Sequence, residues 1–328
     1  MKVVNSRDVA QYAGCSQSTV SRVMNSDPRI SRTTRARVLE AARALGYDMK
    51  RSSGCWNIGV VTGFDPECAS GYYASMLAAV CREIKRRGLH VELLFQDELG
   101  NCDYGCCRGI IDLYQTPQQL LCDTFTVPVV TVNNHCRKLD NIRSVVSDSK
   151  AGMKLAVQYL LSLGHRDIRF ISAEGKSSEE MKPTRRWQGF LEAMNDAGVK
   201  EPERYGIFFS EGKHTSQELI KTALAQAVSQ GCTAFITVNA LHTPKISSAF
   251  HALQIKIPEE VSLIDWEYEG VSEYLEPPRT AIAVDYPRVA AEAVDLLTEI
   301  LEKKNAVFNR TVPPKLIVRK SCAAVRQE

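Results

Sequence analysis

The chain has 328 residues, 44% of them hydrophobic and 24% charged, with a formal net charge of +3, the composition of a globular protein of about two or three domains. Its longest apolar runs, such as "LHVELLF" and "VPVVTV", are far too short to span a bilayer, and "MKVVNSRDVAQ" lacks the apolar stretch of a secretory signal, so a cytoplasmic protein with no membrane partner is expected. Eleven cysteines in such a chain are expected as reduced thiols.

The charge is unevenly spread. Residues 1–51 hold ten Lys and Arg against four Asp and Glu, while the remainder holds 31 against 34. A basic head on a mildly acidic body suits a polyanionic partner, although basic helices are often only solvated faces.

The head reads as three short helices. In "SRDVAQYAG", Val9, Ala10 and Ala13 share a face, and Gly14 ends the segment with a residue that tolerates positive φ. Ser16 is a good N-cap for the next helix, whose apolar stripe is Val20, Val23 and Met24. Ser31 caps a third helix that buries Val38, Leu39, Ala42 and Leu45, with Gly46 placed after its end. Helix, tight glycine turn and second helix form a helix-turn-helix, whose second helix enters the major groove of DNA. Gln17, Ser18 and Arg22 then face outward with side chains that match base edges. Ser16, Thr19, Ser21 and Asn25 are short polar groups suited to phosphate oxygens. An ordinary solvated polar face would show the same residue types.

From Ile58 onward strands and helices alternate. Strands are predicted at "NIGVVTG", "HVELLF", "GIID", "VPVVTV", "SVVS", "DIRFIS", "YGIFF", "AFITV" and "VSLIDW". Helices are predicted at "ASMLAAVCREIKRRGL" and over residues 149–163, 184–197, 214–229, 244–254 and 287–303. Such alternation gives doubly wound α/β layers, and this many strands fit two lobes better than one sheet. No glycine-rich phosphate loop, nucleophile elbow, zinc-protease helix or P-loop is present, which disfavours an enzyme. The cluster "NCDYGCC" (Cys102, Cys106, Cys107) lacks paired zinc-site spacing, so no metal and no cofactor are expected. His165 follows a helix-ending glycine and reads as structural.

"DVAQYAGCSQSTVSRVMN" closely resembles the head of the lactose/galactose repressor family of bacterial transcription regulators, with Cys15 in place of the usual Val. "TRARVLEAARALGY", "YLLSLGHRDIRFIS", "RRWQGFLEAMNDAGV", "ALQIKIPEEVSLIDW" and "PPRTAIAVDYPRVAAEAVDLL" resemble later segments of the same family. The resemblance implies an all-α helix-turn-helix head (1–47), a short linker (48–57) and a two-lobed α/β core similar to periplasmic sugar-binding proteins (58–328). It places about 58–163 and 281–308 in one lobe, and about 164–280 and 309–328 in the other, with an effector in the cleft between them.

Carried over from the family, Arg186 matches an arginine whose fork donates to ligand oxygens. Asp148 matches an acid near the cleft and is equally placed to cap the helix starting at Ser149. Asn239 matches the first residue of an Asn-Asp pair, Glu267 stands where the family often has Asp, and Tyr72 or Tyr73 lies near an aromatic position. Trp187 and Trp266 read as core. The sequence departs from the family at Ala240, where Asp is usual, and in "QDELGNCDYGCCRGII", too short for the customary helix. The family's linker carries a leucine that wedges into the minor groove. "DMKRSSGCWN" has none, only Met49 as a candidate wedge and Lys50 and Arg51 as phosphate contacts, so weaker DNA bending is expected.

The expectation is a homodimeric repressor of a carbohydrate-use operon that reads double-stranded operator DNA and responds to a sugar-like effector, a galactoside by default. The alternatives are a regulator with a degenerate sensor, a sugar-binding transport protein and a sugar-acting enzyme.

Overall fold

The computed structural model describes residues 4–24, 27, 29–45, 47, 57–63, 71–100, 107–134, 141–172, 184–209, 215–238, 243–267, 271–304 and 306–325. Asn25, Gly46, the linker residues Asp48–Trp56, Cys102, Cys106, Asn239 and Ala240 lie outside these described residues.

Three helices form the head: α1 (Ser6–Tyr12), α2 (Gln17–Met24) and α3 (Arg32–Ala44). The Asn5 side chain accepts the N–H groups of Arg7 and Asp8, and the Asp8 carboxylate accepts the Asn5 N–H, closing the start of α1 on both sides. Gly14, at φ +60°, turns the chain into α2, where an L side chain would be strained. Ser16 and Ser31 accept the N–H groups of Thr19 and Thr34, so both predicted caps form. Val9, Ala10, Ala13, Val20, Val23, Met24, Val38 and Leu39 make one small core.

The rest of the chain runs β1 (Asn57–Thr62), α4 (Gly71–Arg86), β2 (His90–Phe95), β3 (Cys107–Asp112), α5 (Gln118–Thr124), β4 (Val129–Val132), β5 (Ile142–Ser147), α6 (Ser149–Ser162) and β6 (Ile168–Ser172). It continues α7 (Arg185–Asp196), β7 (Gly206–Phe208), α8 (Gln217–Ser229), β8 (Ala234–Thr237), α9 (Thr243–Ala252), β9 (Ser262–Trp266), β10 (Thr280–Ala283), α10 (Tyr286–Leu301), β11 (Asn309–Val312) and β12 (Lys315–Ile317). The seven-residue α5 and the strands β10, β11 and β12 extend the predicted set. The strand elements form two six-stranded sheets, ordered β11-β5-β4-β3-β1-β2 and β12-β10-β9-β8-β6-β7.

The chain forms two compact units. The first comprises Met1–Val146 and Tyr286–Arg310. In its sheet, β2, β1, β3, β4 and β5 pair in parallel; β1, β3, β4 and β5 are buried nearly end to end, as strands covered on both faces must be, while the edge strand β2 is only partly buried. α4 and α10 pack together, with α10 also lying on β3 and β4.

The second unit comprises Ser147–Asp285 and Thr311–Glu328. Its strands β7, β6, β8, β9 and β10 are parallel, and β12 closes one edge antiparallel to β10. Alternate residues serve the two faces, as the two-residue strand period requires. Ile168, Phe170, Ala234, Ile236, Ile264, Trp266 and Ile282 pack with Met153, Val157, Leu160, Phe190 and Met194 of α6 and α7. Ile171, Phe235 and Leu263 pack with Ile220, Leu224, Ile246 and Phe250 of α8 and α9.

The structure places α6 in this second unit, not with residues before it as the sequence suggested, and β10 belongs here too. The reason is close packing of α6 on α7. A Cβ on Gly189 would lie 2.8 Å from Cα and 2.9 Å from the carbonyl oxygen of Lys150, a separation only glycine allows. Lys150 also donates to Glu192 across the same pair of helices.

Candidate DNA-reading face and effector site

On the head, α2 presents Gln17, Ser18, Ser21 and Arg22 as exposed side chains and Thr19 half-buried, while Val20, Val23 and Met24 hold the helix to the core. Ser16, expected as a phosphate contact, also serves the head itself. Its hydroxyl accepts the Thr19 N–H and bonds the hydroxyls of Ser18 and Thr19, both at 2.8 Å. One donor and two lone pairs are then used within the turn. Ser16 is a cap. Beside α3, Asp27 forms a two-pronged bond to Arg29, which holds its carboxyl down at about 2, and its carbonyl oxygen accepts from Arg35.

In the second unit, Arg186 is the second residue of α7, placed by Thr184, whose hydroxyl caps the helix by accepting the Trp187 N–H. Its guanidinium lies 4.2 Å from the ring centroid of Trp266, the last residue of β9, and donates to the carbonyl oxygen of Val238, just past β8. The group thus stands at the carboxyl ends of two parallel strands, where open α/β sheets hold ligands. Trp266 is both core and platform, whereas Trp187 is core alone, stacked on Phe190.

The two predicted carboxylates serve the protein itself. Asp148 accepts the Ala151 N–H at 3.0 Å and caps α6. Glu267 accepts a two-pronged pair of bonds from Arg319, at 2.9 and 3.1 Å. Each carboxylate keeps further lone pairs, since two oxygens offer about four acceptor sites.

Behind Glu267 lies a polar group that sequence reasoning missed. Asp265 and Arg279 are fully buried, and Oδ2 of Asp265 is 3.7 Å from Nε of Arg279. Thr237 donates its hydroxyl to Asp265 at 2.7 Å, and Arg279 donates to Ser247 at 2.8 Å and to the Pro277 carbonyl at 3.0 Å. Burial pushes the Asp265 carboxyl up to about 6 against the pull of Thr237 and Arg279. The signal in the sequence was an acid inside the apolar strand "SLIDW".

In the first unit, α4 begins at Gly71, three residues before the predicted start, so Tyr72 and Tyr73 lie in its first turn. Tyr72 packs on Tyr73 and Tyr286, at centroid distances of 5.3 and 5.9 Å, and Tyr73 packs on Tyr114 at 5.9 Å. Asn133, after β4, donates to the Tyr72 hydroxyl. Tyr114 is positioned by Asp112 at the end of β3, which accepts the N–H groups of Tyr114 and Thr116 and the Thr116 hydroxyl. Burial raises the Asp112 carboxyl to about 6. The structure therefore brings Tyr72 and Tyr73 together with two further tyrosines, and Arg186 together with Trp266.

His165 is buried and bonded to Thr233, Ser262 and the Ala323 carbonyl, a structural post at the opposite ends of β8 and β9. Among the described residues no group of three or more His, Cys, Asp or Glu is placed to hold a metal ion, and no helix is long and apolar enough to cross a membrane.

Two family descriptions match the chain. "Bacterial regulatory proteins, lacI family" covers residues 7–49, and "Periplasmic binding protein-like domain" covers residues 157–322. The chain belongs to the lacI family of bacterial regulatory proteins. It is similar to the HTH-type transcriptional repressor PurR of Pasteurella multocida (strain Pm70), 28% identical over 346 residues that cover 96% of this chain and 97% of the relative. Among solved structures, it shares its fold with the lac repressor dimer bound to operator and the anti-inducer ONPF. That match has a TM-score of 0.69 at 22% identity and covers 98% of this chain and 100% of that one. The transcriptional regulator CelR in complex with cellobiose matches with a TM-score of 0.66 at 22% identity, over 97% and 99% of the two chains. As a lacI-family member the chain is a DNA-binding transcriptional regulator, with a helix-turn-helix head and an α/β core of two lobes.

Proposed function

We propose that this regulator is a homodimeric repressor, acting in the cytoplasm, whose affinity for operator DNA is set by a small polyhydroxylated effector. The observation that carries the effector reading is the Arg186 guanidinium seated on Trp266 at the carboxyl ends of β8 and β9. A planar fork of donors over an apolar aromatic floor suits a ligand with adjacent hydroxyls and one apolar ring face. The tyrosines Tyr72 and Tyr73 offer a second aromatic surface of the same kind. A saccharide is favoured as the class, in line with the cellobiose held by the CelR neighbour.

On the head, Gln17, Ser18 and Arg22 are the base readers, and Thr19 and Ser21 are the phosphate contacts. An effector shifts DNA affinity only through unequal affinity for the DNA-binding and released states.

Titration calorimetry with a panel of mono- and disaccharides tests the sensor. A ligand bound by the wild type and weakened by Arg186→Ala supports the reading, and a tight ligand indifferent to that change removes Arg186 from the site. For the head, operator-sized duplexes must outcompete random DNA at a stated salt concentration, or the specific-reader claim fails.

A further inference from the structure

Gln17 and Ser6 lie on different helices, eleven positions apart, and are joined by one hydrogen bond: Nε2 of Gln17 donates to Oγ of Ser6 at 2.8 Å. Ser6 opens α1 at its doubly closed start, where Asn5 and Asp8 cap each other's backbone. The small core through Val9, Ala13, Val20 and Val23 locks α1 to α2. The Ser6 hydroxyl is therefore a fixed post. Gln17, exposed at the first position of α2, would otherwise turn about three side-chain bonds.

A carboxamide carries two N–H donors and one acceptor oxygen. The major-groove edge of adenine offers an acceptor at N7 and a donor at N6, so it needs one amide N–H and the amide oxygen side by side. With one N–H engaged by Ser6, the Gln17 amide still has one N–H and its oxygen, and turning it about the Cγ–Cδ bond would carry Nε2 away from Ser6. We propose that Ser6 is a positioning residue for base recognition, holding the Gln17 amide so that its remaining N–H and its oxygen face an adenine edge. Ser6 itself touches no base in this arrangement. The proposal rests on the reading that Gln17 meets a base, and the test separates the two.

The full-length protein is used to select its preferred operator from random-sequence duplexes, and then binds every single-base-pair variant of it in competition. Gln17→Ala erases the preference at one base pair. Ser6→Ala weakens preference at that same pair by about three- to tenfold, the worth of one immobilised side chain. It leaves the other positions, the affinity for random DNA and the heat denaturation of the head unchanged. Ser6→Thr, which keeps a hydroxyl, restores the preference. Full preference at the Gln17-dependent pair in Ser6→Ala overturns the proposal. So does a uniform loss across all sequences, which would mark Ser6 as a phosphate contact or a folding residue. If Gln17→Ala alters no base preference, the underlying reading fails first and this one with it.

Discussion

Arg279 holds its Nε 3.7 Å from Oδ2 of Asp265, with both side chains shut away from water inside the second unit. Each neutralises the other where neither would tolerate burial alone. Replacing Arg279 by Met leaves the carboxylate uncompensated and is expected to cost about 3–5 kcal/mol. The double variant Asp265→Asn with Arg279→Met keeps the Thr237 bond, removes both charges and recovers most of the loss. Urea denaturation followed by the fluorescence of the buried Trp187 and Trp266 checks both. A loss in the double variant equal to the sum of the losses in Arg279→Met and Asp265→Asn would show that the pair is not coupled.

The same aspartate makes stability depend on pH. Burial raises Asp265 and Asp112 to about 6 from an ordinary 3.8, so between these values the folded chain binds more protons than the unfolded one. Their contribution to stability therefore grows as pH falls from 7 toward 4, by at most roughly 3 kcal/mol each. His165 acts oppositely, because burial lowers its affinity for a proton and the stability it gives is lost as pH falls below 6.5. The signs separate in variants. Subtracting the stability of Asp265→Asn from that of the wild type, at each pH from 7 to 4, gives a difference that moves in the wild type's favour as pH falls. A flat difference would mean that Asp265 titrates normally.

How much of this was legible from residues alone follows the distance along the chain. The head was readable because its determinants are local: Ser16 caps Thr19, and Gly14 turns between the helices. The cap at Asp148 was equally visible, three residues from its partner. Glu267 and Arg319 are 52 positions apart, and no pattern near Glu267 announces its partner. Helix α5, "QQLLCDT", is too short to show a helical period. The assignment of α6 to the second unit depends on Gly189, a residue whose significance lies wholly in what approaches it.

Gly189→Ala tests that approach. The added methyl would meet backbone atoms of Lys150 at 2.8 and 2.9 Å, which no side-chain rotation relieves. Overpacking is expected to cost about 1–3 kcal/mol, although alanine favours a helix by about 1 kcal/mol over glycine. Chemical denaturation shows a net loss, and a net gain would mean that the helices separate at little cost.

Arg22, exposed on α2, is expected to read a guanine edge. Arg22→Ala should relax preference at one base pair by about 1–3 kcal/mol and leave the others alone. Binding isotherms at several salt concentrations distinguish this from a phosphate contact, whose loss would weaken all sequences and lower the salt slope by about one.

The division of the chain into interleaved units has a consequence for its birth on the ribosome. Each unit recruits its last pieces late: the first takes Tyr286–Arg310, and the second takes Thr311–Glu328. The edge strands β11 and β12 both come from the final stretch of the sequence. Vectorial synthesis therefore delivers the head's small core ahead of a sensor in which neither sheet gains its β11 or β12 edge until the segment from Asn309 to Ile317 has been made. A nascent chain that has passed the head carries one finished module and two half-built ones, and a chain cut short before Asn309 lacks both edge strands at once.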